Sequence, residues 1–498
     1  MVCLVPPGEP DTNVIQDSDP QEPHDKPEPQ RRDGGLIIAW MADMRLVSGE
    51  HQRAVRAGRA MQCLAQGVCR RELCYKHSFQ TQKGIKDFWS HSWRTPAWKK
   101  MVLLSFWYNV SAANVAGTLG ALVFFVLGCF DLTHSYDKVP APWIRPLRLG
   151  CWCSLTGVLL FCLTLVFWKS PRTVWLDYVC IHQSDAQLRQ RGLLSLGANI
   201  KNTKTMLVLW DETWVERLWC IFEMAAFLKS HGEEAKSHLV ILPTFLCPFW
   251  LVHLTILSVV ILLMVALPFS PLLFAGLGFA AAVVTEMLIF DFYSKLDVLD
   301  ARLRQFSLTN ATCTCCSTGH TDREGKVIHC DRKIIIQCLC QWFGSEAASE
   351  ANISSTVADS LRDKLSRFPF QYWMFLSFTV PLVWAFMDQL AARIRDEAWE
   401  EAGALCFDIL SRFFNVLPAV FAFTVTMVHA VQRVRCSRKA PLRWLCRAAV
   451  ALLHLLPPLG SQLCNTLLEN RLQSEALFFA LTIIPALAAW RLCGRRSP

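Results

Sequence analysis

RTVWLDYVCIHQSD at residues 172–185 and TKTMLVLWDETWVERLWCIFEMAAFLKS at residues 203–230 decide the fold of this chain. Each stretch opens with a short apolar run that stops at an acidic residue, Asp177 or Asp211, and continues into a segment with helical spacing. This pattern is typical of a β-α-β-α unit with a parallel sheet. Because such sheets bind ligands at their carboxyl edge, we expect the functional residues to follow these two strands.

The composition points to a membrane protein. Of the 498 residues 53% are hydrophobic and only 18% are charged, and long apolar runs are present. The net charge of +9 is concentrated at the ends of the apolar runs, which fits membrane orientation and argues against a nucleic-acid partner. Many of the 22 cysteines lie inside apolar runs, where they act as small apolar side chains rather than as disulfide partners.

Apolar and polar segments alternate along the chain, and the pattern predicts about eight membrane spans. Basic residues flank the spans on one side, so the positive-inside rule places the soluble parts and both termini in the cytoplasm. The predicted segments are a disordered tail at 1–35, an N-terminal region with the first strand at 36–100, a membrane hairpin at 101–168, the main α/β part at 169–246, a second hairpin at 247–292, a Cys/His-rich segment at 293–367 and four spans within 368–493.

The segment RLWCIFE at 217–223 is the first candidate for chemistry. If a helix begins near Glu216, Trp219 and Glu223 lie four residues apart on one face. A carboxylate beside an indole at the strand edge suits a site that stacks a ring and holds sugar hydroxyls or a developing positive charge. The same spacing also fits a core tryptophan and a glutamate that is exposed or paired with an arginine.

These residues resemble a TIR-type domain, whose pattern is a strand, an acidic or polar turn, and a helix that opens with Trp-Cys-x-x-Glu. Here the three parts are 206–210, 211–217 and 219–223, while Asp87-Phe88-Trp89-Ser90-His91 resembles the family's opening strand. The run from Trp175 to Gln183 is similar to fungal heterokaryon-incompatibility domains, which are distant TIR relatives. The whole chain resembles multi-span TIR-like proteins of unicellular eukaryotes.

The resemblance implies an α/β fold with a flavodoxin-like parallel sheet, split by an inserted helical hairpin and combined with a helical transmembrane bundle. It also implies that Glu223 is the catalytic residue for cleaving the nicotinamide–ribose bond of NAD, by stabilising an oxocarbenium-like transition state. Trp219 or Trp214 would stack a ring of the dinucleotide. The remaining predicted ligand-binding residues are Ser90, Arg217 and Asp177.

A second candidate site lies in the Cys/His-rich segment, where the spacing is Cys-x-Cys-Cys-x-x-x-His followed by His-Cys. Thiolate and imidazole ligands at such short spacings can form a tetrahedral zinc site that orders a polar loop. Reduced loop thiols and palmitoylated cysteines near the membrane are the alternatives. The predicted metal ligands are Cys313, Cys315, Cys316, His320 and Cys330.

The leading interpretation is a polytopic membrane protein with a cytoplasmic TIR-like domain that signals through self-association and NAD hydrolysis. Its expected partners are the lipid bilayer, other copies of the chain and other TIR-like domains. One alternative is a channel or transporter with a regulatory cytoplasmic domain. Another is a non-catalytic interaction platform anchored in the membrane.

Overall fold

The computed structural model describes residues 29–66, 74–138, 147–211, 213–266, 306–321, 329–365, 368–416 and 470–494, with scattered positions between them. Its helices are α1 (Pro29–Ala42), α2 (Ala57–Gln66), α3 (Ala97–Cys129), α4 (Trp152–Phe167), α5 (Asp177–Cys180), α6 (Ala186–Leu194), α7 (Leu196–Lys201), α8 (Leu218–His231), α9 (Ala235–His238), α10 (Leu246–Ala266), α11 (Thr314–Ser317), α12 (Asp331–Phe343), α13 (Glu346–Leu365), α14 (Phe368–Arg395), α15 (Trp399–Leu410) and α16 (Arg471–Gly494). Its strands are β1 (Arg53–Arg56), β2 (Phe79–Gln80), β3 (Ile85–His91), β4 (Tyr136–Lys138), β5 (Leu147–Leu149), β6 (Thr173–Trp175), β7 (Thr203–Trp210) and β8 (Leu239–Pro243).

The chain forms two compact units. The first contains Met1–Met101, Lys169–Thr244 and Leu299–Leu361, and the second contains Val102–Trp168, Phe245–Val298 and Arg362–Pro498. The first unit holds a six-stranded sheet, whereas the second is mainly helical, with a small antiparallel pair formed by β4 and β5.

The six-stranded sheet has the order β2-β1-β6-β3-β7-β8. Strands β6, β3, β7 and β8 are parallel, with Phe88 opposite Met206 and Ser90 opposite Val208. Strand β3 therefore pairs with strands that follow it by more than eighty residues, as the resemblance to TIR-type domains implies. The predicted α/β class is confirmed.

The sheet is mixed rather than wholly parallel, which corrects the sequence-based prediction. Strand β1 runs antiparallel to β6 and to β2, and it precedes the strand that was predicted to be the first one of the region 36–100. Its pattern is short: Ala54 and Val55 are buried between two arginines that are not. A strand of four residues shows too little alternation to be recognised in the sequence.

The N-terminal tail is also shorter than predicted. Residues 1–28, which make up most of the predicted disordered segment, lie outside the described residues. Helix α1 begins at Pro29, and it packs on α12 through Trp342, whose Nε1 donates to the carbonyl oxygen of Ala42 at 2.8 Å. The apolar run that starts at Leu36 thus extends toward the N-terminus as a helix.

Aromatic stacking joins the two separated parts of the sheet. Phe88 on β3 stacks on Trp175 on β6 with ring centroids 4.7 Å apart and an interplanar angle of 9°. Both side chains are essentially fully buried. Strand β7 and helix α8 supply further buried side chains, so both faces of the central strands are covered, as is usual for parallel strands.

In the second unit, Trp384 on α14 packs against glycines of two helices. A Cβ atom added to Gly117 would lie 2.6 Å from its ring, and one added to Gly157 would lie 2.5 Å from it. Four residues later, the Asp388 carboxylate accepts hydrogen bonds from the backbone N–H groups of Cys153 and Ser154, each at 2.9 Å. These N–H groups belong to the first turn of α4, so Asp388 caps that helix.

Gly157→Val is expected to destabilise the second unit. The added side chain would collide with the fully buried indole of Trp384, and overpacking of this kind costs about 1–3 kcal/mol or more. Thermal unfolding of the detergent-solubilised chain measures the effect, with Gly276→Val as a control because a Cβ there meets nothing within 4 Å. Equal melting temperatures for the two variants would contradict the close packing.

One described helix, α3, is long and apolar enough to cross a membrane, with a mean hydropathy of 2.0 over its most apolar 18 residues. Three shorter apolar helices are Trp152–Phe167, Leu246–Ile261 and Leu472–Ala488. Much of the predicted hairpin at 247–292 after residue 266, and residues 420–463 of the region predicted to hold four spans, lie outside the described residues. The eight-span bundle therefore remains a prediction.

Candidate functional site

The carboxyl edge of the sheet gathers polar side chains from three parallel strands. Ser90 and Ser92 lie at the end of β3, Asp177 follows β6, and Asp211 follows β7. Parallel strands bring these ends to one edge, where loops can bind a ligand. The two serines are fully buried, and the two carboxylates are half-buried.

Glu223 meets Ser90 at this edge. The Ser90 Oγ donates to Glu223 Oε2 at 2.5 Å and accepts from the Trp214 Nε1 at 3.1 Å. Trp214 is fully buried and stacks on Trp210 with centroids 4.9 Å apart, so the indole that orients the hydroxyl is itself fixed. The structure therefore brings together three predicted site residues, Ser90, Trp214 and Glu223.

Burial raises the pKa of Glu223 to about 8. The negative charge of Asp177 adds to the increase, while the Ser90 hydrogen bond and the positive charge of Arg217 oppose it. Burial also raises the pKa of Asp177, against the hydrogen bonds from Tyr178 N–H and Trp93. A carboxyl group with a pKa near physiological pH is typical of catalytic sites.

The loop after β7 adds the carboxylate of Asp211, which is not among the predicted ligand-binding residues. Asp211 Oδ1 accepts from the backbone N–H and the hydroxyl of Thr213, both at 2.7 Å. The Thr213 hydroxyl in turn lies 2.7 Å from the Ser92 Oγ. Asp211 Oδ2 is buried and finds no hydrogen-bond partner among the described residues, so it can accept a hydrogen bond from a ligand hydroxyl.

The exposed indole at this edge is Trp93 rather than a predicted one. Its side chain is 37% exposed, and its Nε1 donates to Asp177 Oδ2 at 3.2 Å. The Lys100 ammonium group donates to the Ser92 carbonyl oxygen at 2.6 Å and lies 5.6 Å from the Trp93 ring centroid. The signal for Trp93 was present in the sequence, as an aromatic residue directly after the first strand.

Neither Trp219 nor Trp214, the two indoles predicted to stack a ligand ring, is exposed at the site. Helix α8 begins at Leu218, and the Trp219 side chain is only 2% exposed. Its Nε1 donates to Asp331 Oδ2 at 3.2 Å, and its ring packs edge-on against Phe222. The indole is therefore held by the segment that follows the Cys/His-rich loop. Arg217 is the half-buried residue that precedes the helix, and its charge acts on Glu223.

The structure also brings the predicted metal ligands together. One ligand atom from each of Cys315, Cys316, His320 and Cys330 lies within 4.8 Å of the others. Cys313 lies beside this group, with its Sγ 3.2 Å from that of Cys315. The five residues come from α11 and its flanking turns and from the start of α12. This arrangement is suited to a single soft metal ion.

The geometry therefore defines two adjoining features of the first unit, a carboxylate site at the sheet edge and a Cys/His cluster. The function of neither feature can be inferred from a known protein. None of the family models, curated proteins or solved structures compared with the chain matches it.

Proposed function

We propose that the first unit is a TIR-like domain that hydrolyses NAD at the nicotinamide–ribose bond, with Glu223 as the working carboxylate. The observation that carries the proposal is the 2.5 Å hydrogen bond between Ser90 and Glu223, together with the raised pKa of that carboxyl. Its position at the carboxyl edge of a parallel sheet supports a role in binding a ligand. The resemblance of 206–223 to TIR-type domains supports the choice of NAD.

The proposed reaction breaks the bond between the ribose C1′ and the nicotinamide nitrogen. The bonding electron pair leaves with nicotinamide, and the positive charge develops on the ribose as an oxocarbenium-like centre. Water adds to C1′ and loses a proton, giving ADP-ribose. The Glu223 carboxylate stabilises the developing charge and holds a ribose hydroxyl, while Ser90 and Trp214 keep it in place.

The substrate itself favours the ionised form of Glu223. The nicotinamide ring of NAD carries a positive charge, and an opposite charge nearby lowers the pKa of a carboxyl group. The free Asp211 Oδ2 can accept from a second sugar hydroxyl, and the exposed Trp93 indole offers a stacking surface. These three groups supply the charge, hydrogen-bonding and stacking contacts that a dinucleotide needs.

The kcat/KM for NAD is expected to rise about tenfold per pH unit below a pH of about 8 and to level off above it. The reason is that the proposed step needs the ionised form of Glu223, and kcat/KM reports the free enzyme. Initial rates of nicotinamide release between pH 5.5 and pH 9.5 provide the measurement. A kcat/KM that is already level from pH 5.5 upward, as expected for a glutamate with the ordinary pKa of 4.5, would contradict the raised pKa.

We further propose that the apolar helices of the second unit lie in a lipid bilayer. Large side chains on one helix, α3, are more than half exposed: Val115, Leu119, Val123 and Val126. Such a continuous apolar surface is unfavourable in water and marks a lipid or protein contact. Alkaline carbonate extraction should leave the chain in the membrane pellet, and recovery in the supernatant would contradict the proposal.

Self-association is the signalling part of the proposal, with other copies of the chain or other TIR-like domains as partners. It is supported by the resemblance of 206–223 to TIR-type domains, which signal through assembly.

The basic flanks of the predicted spans support a cytoplasmic location for this domain. A glycosylation tag placed in the loop at 232–234 should remain unmodified if that location is right.

A further inference from the structure

The Cys/His cluster next to helix α8 has the composition of a structural zinc site. We propose that Cys315, Cys316, His320 and Cys330 bind one zinc ion, and that this ion holds helix α8 in the position that the Glu223 site requires. Three thiolates and one imidazole are a common ligand set for structural zinc. The metal-binding part stands by itself, whereas the effect on activity rests on the proposed NAD hydrolysis.

Two of the sulfur–sulfur distances match a tetrahedral site. With zinc–sulfur bonds of about 2.3 Å, two thiolates of a tetrahedron lie about 3.8 Å apart. The Sγ atoms of Cys315 and Cys316 are 3.9 Å apart, and those of Cys316 and Cys330 are 3.8 Å apart. Both distances are far longer than a disulfide bond of about 2.05 Å.

Cys313 falls outside this tetrahedron. Its Sγ is only 3.2 Å from that of Cys315, which is too short for two ligands of one tetrahedral ion but suitable for a thiol that donates to a bound thiolate. The backbone N–H of Asp331 donates to the same Cys315 sulfur at 3.3 Å. Donors around a metal-bound thiolate are the usual outer shell of such sites.

His320 supplies the independent observation that points to a metal. Its Nε2 is buried and has no hydrogen-bond partner among the described residues, an arrangement that is unfavourable unless a ligand occupies it. The backbone holds the ring there: Gly319 and His320 both have positive φ, at 68° and 58°, and the His320 N–H donates to the Cys315 carbonyl oxygen at 2.9 Å. A non-glycine residue adopts this conformation at a cost.

Helix α12 positions Cys330 in the cluster. It is the residue immediately before α12, which runs for 13 residues. Its sulfur lies 3.8 Å from that of Cys316, so the start of α12 brings this thiol to the thiols of α11.

Both ends of the proposed metal loop are attached to the start of α8. At the first end, Thr312 accepts from the Leu218 N–H at 3.2 Å, and its hydroxyl donates to the Glu216 carbonyl oxygen at 2.7 Å. At the second end, Asp331 accepts from the Trp219 indole. Cys313 follows Thr312 directly and Cys330 precedes Asp331 directly. Loss of the ion would therefore weaken three hydrogen bonds that position the helix of Glu223.

Metal content of the full-length chain, purified in detergent with a phosphine reductant, tests the first part of the proposal. Elemental analysis should find about one zinc per chain. Cys316→Ser and Cys330→Ser should each lose most of it, whereas the matched control Cys340→Ser, on α12 and outside the cluster, should retain it. Because a ligand variant can fail to fold, chelation of zinc from the native chain and its restoration by added zinc serve as the second measurement.

Hydrogen exchange and NAD consumption test the second part. Removal of zinc should speed amide exchange at Leu218 and the residues after it, and zinc should reverse the change. A chain with no zinc, a different bound metal, or zinc that survives in both ligand variants would overturn the site. Unchanged exchange after chelation would overturn the link to α8. Zinc binding without any NAD consumption would contradict only the proposed hydrolysis.

Discussion

Glu223→Gln is expected to lower the kcat for NAD hydrolysis by about a hundredfold to ten-thousandfold. Glutamine keeps the shape and can still accept from the Ser90 hydroxyl, but it cannot offer a negative charge to the oxocarbenium-like centre. The measurement is nicotinamide release by the purified full-length chain. Glu233→Gln, an exposed glutamate just beyond the same helix, is the matched control and should keep the full rate.

The stability of Glu223→Gln shows whether its loss of activity comes from the missing charge or from unfolding. In the native chain Glu223 has a pKa of about 8, whereas in the unfolded chain it titrates near 4.5, so folding stability falls as pH rises between these values. Glutamine has no such dependence. Glu223→Gln should therefore melt close to the native chain at pH 5 and above it at pH 9. A variant that is inactive and less stable at pH 9 would contradict the assignment.

Phe88→Ala is expected to cost about 3–5 kcal/mol of folding free energy. The ring is fully buried and stacks on Trp175, so its loss removes an aromatic contact between β3 and β6. Because β3 carries Ser90, nicotinamide release should fall as well. Thermal and denaturant unfolding of the full-length chain measure the change.

Phe79→Ala is the matched control for Phe88. Phe79 lies on the edge strand β2 and is 38% exposed, so truncation there should cost less than about 1 kcal/mol. If the two variants lost the same stability, the difference in burial between Phe88 and Phe79 would be contradicted. If Phe88→Ala were unstable but released nicotinamide at the normal rate, the link between β3 and the site would fail.

The carboxylate site was largely predictable because its parts are local motifs. The apolar runs that end at Asp177 and Asp211 predicted two parallel strands and the edge where their loops meet. The resemblance of Asp87–His91 to an opening strand predicted that Ser90 reaches that edge. Its pairing with Glu223, 133 residues away, also needs the helix after β7 to lie against β3, which only the structure shows.

The direction of individual side chains was less predictable. Trp219 shares a helix face with Glu223 by spacing, yet its indole turns to Asp331, which lies more than a hundred residues away. Spacing reports a helix face but not which distant segment covers it. Strand β1 escaped prediction because four residues show no clear period. Asp211 was recognised as the end of a strand, and only the structure shows its unpaired oxygen.

Nicotinamide release by Ser90→Ala, measured from pH 5.5 to pH 10, tests the central claim most directly. The Ser90 hydrogen bond lowers the pKa of Glu223, so its removal should move the inflection of kcat/KM from about 8 to a higher pH. The rate at neutral pH should fall accordingly and recover in part at high pH. An inflection at the same pH in both proteins, or a native chain that releases no nicotinamide, would contradict the claim that Ser90 and Glu223 form an NAD-cleaving site.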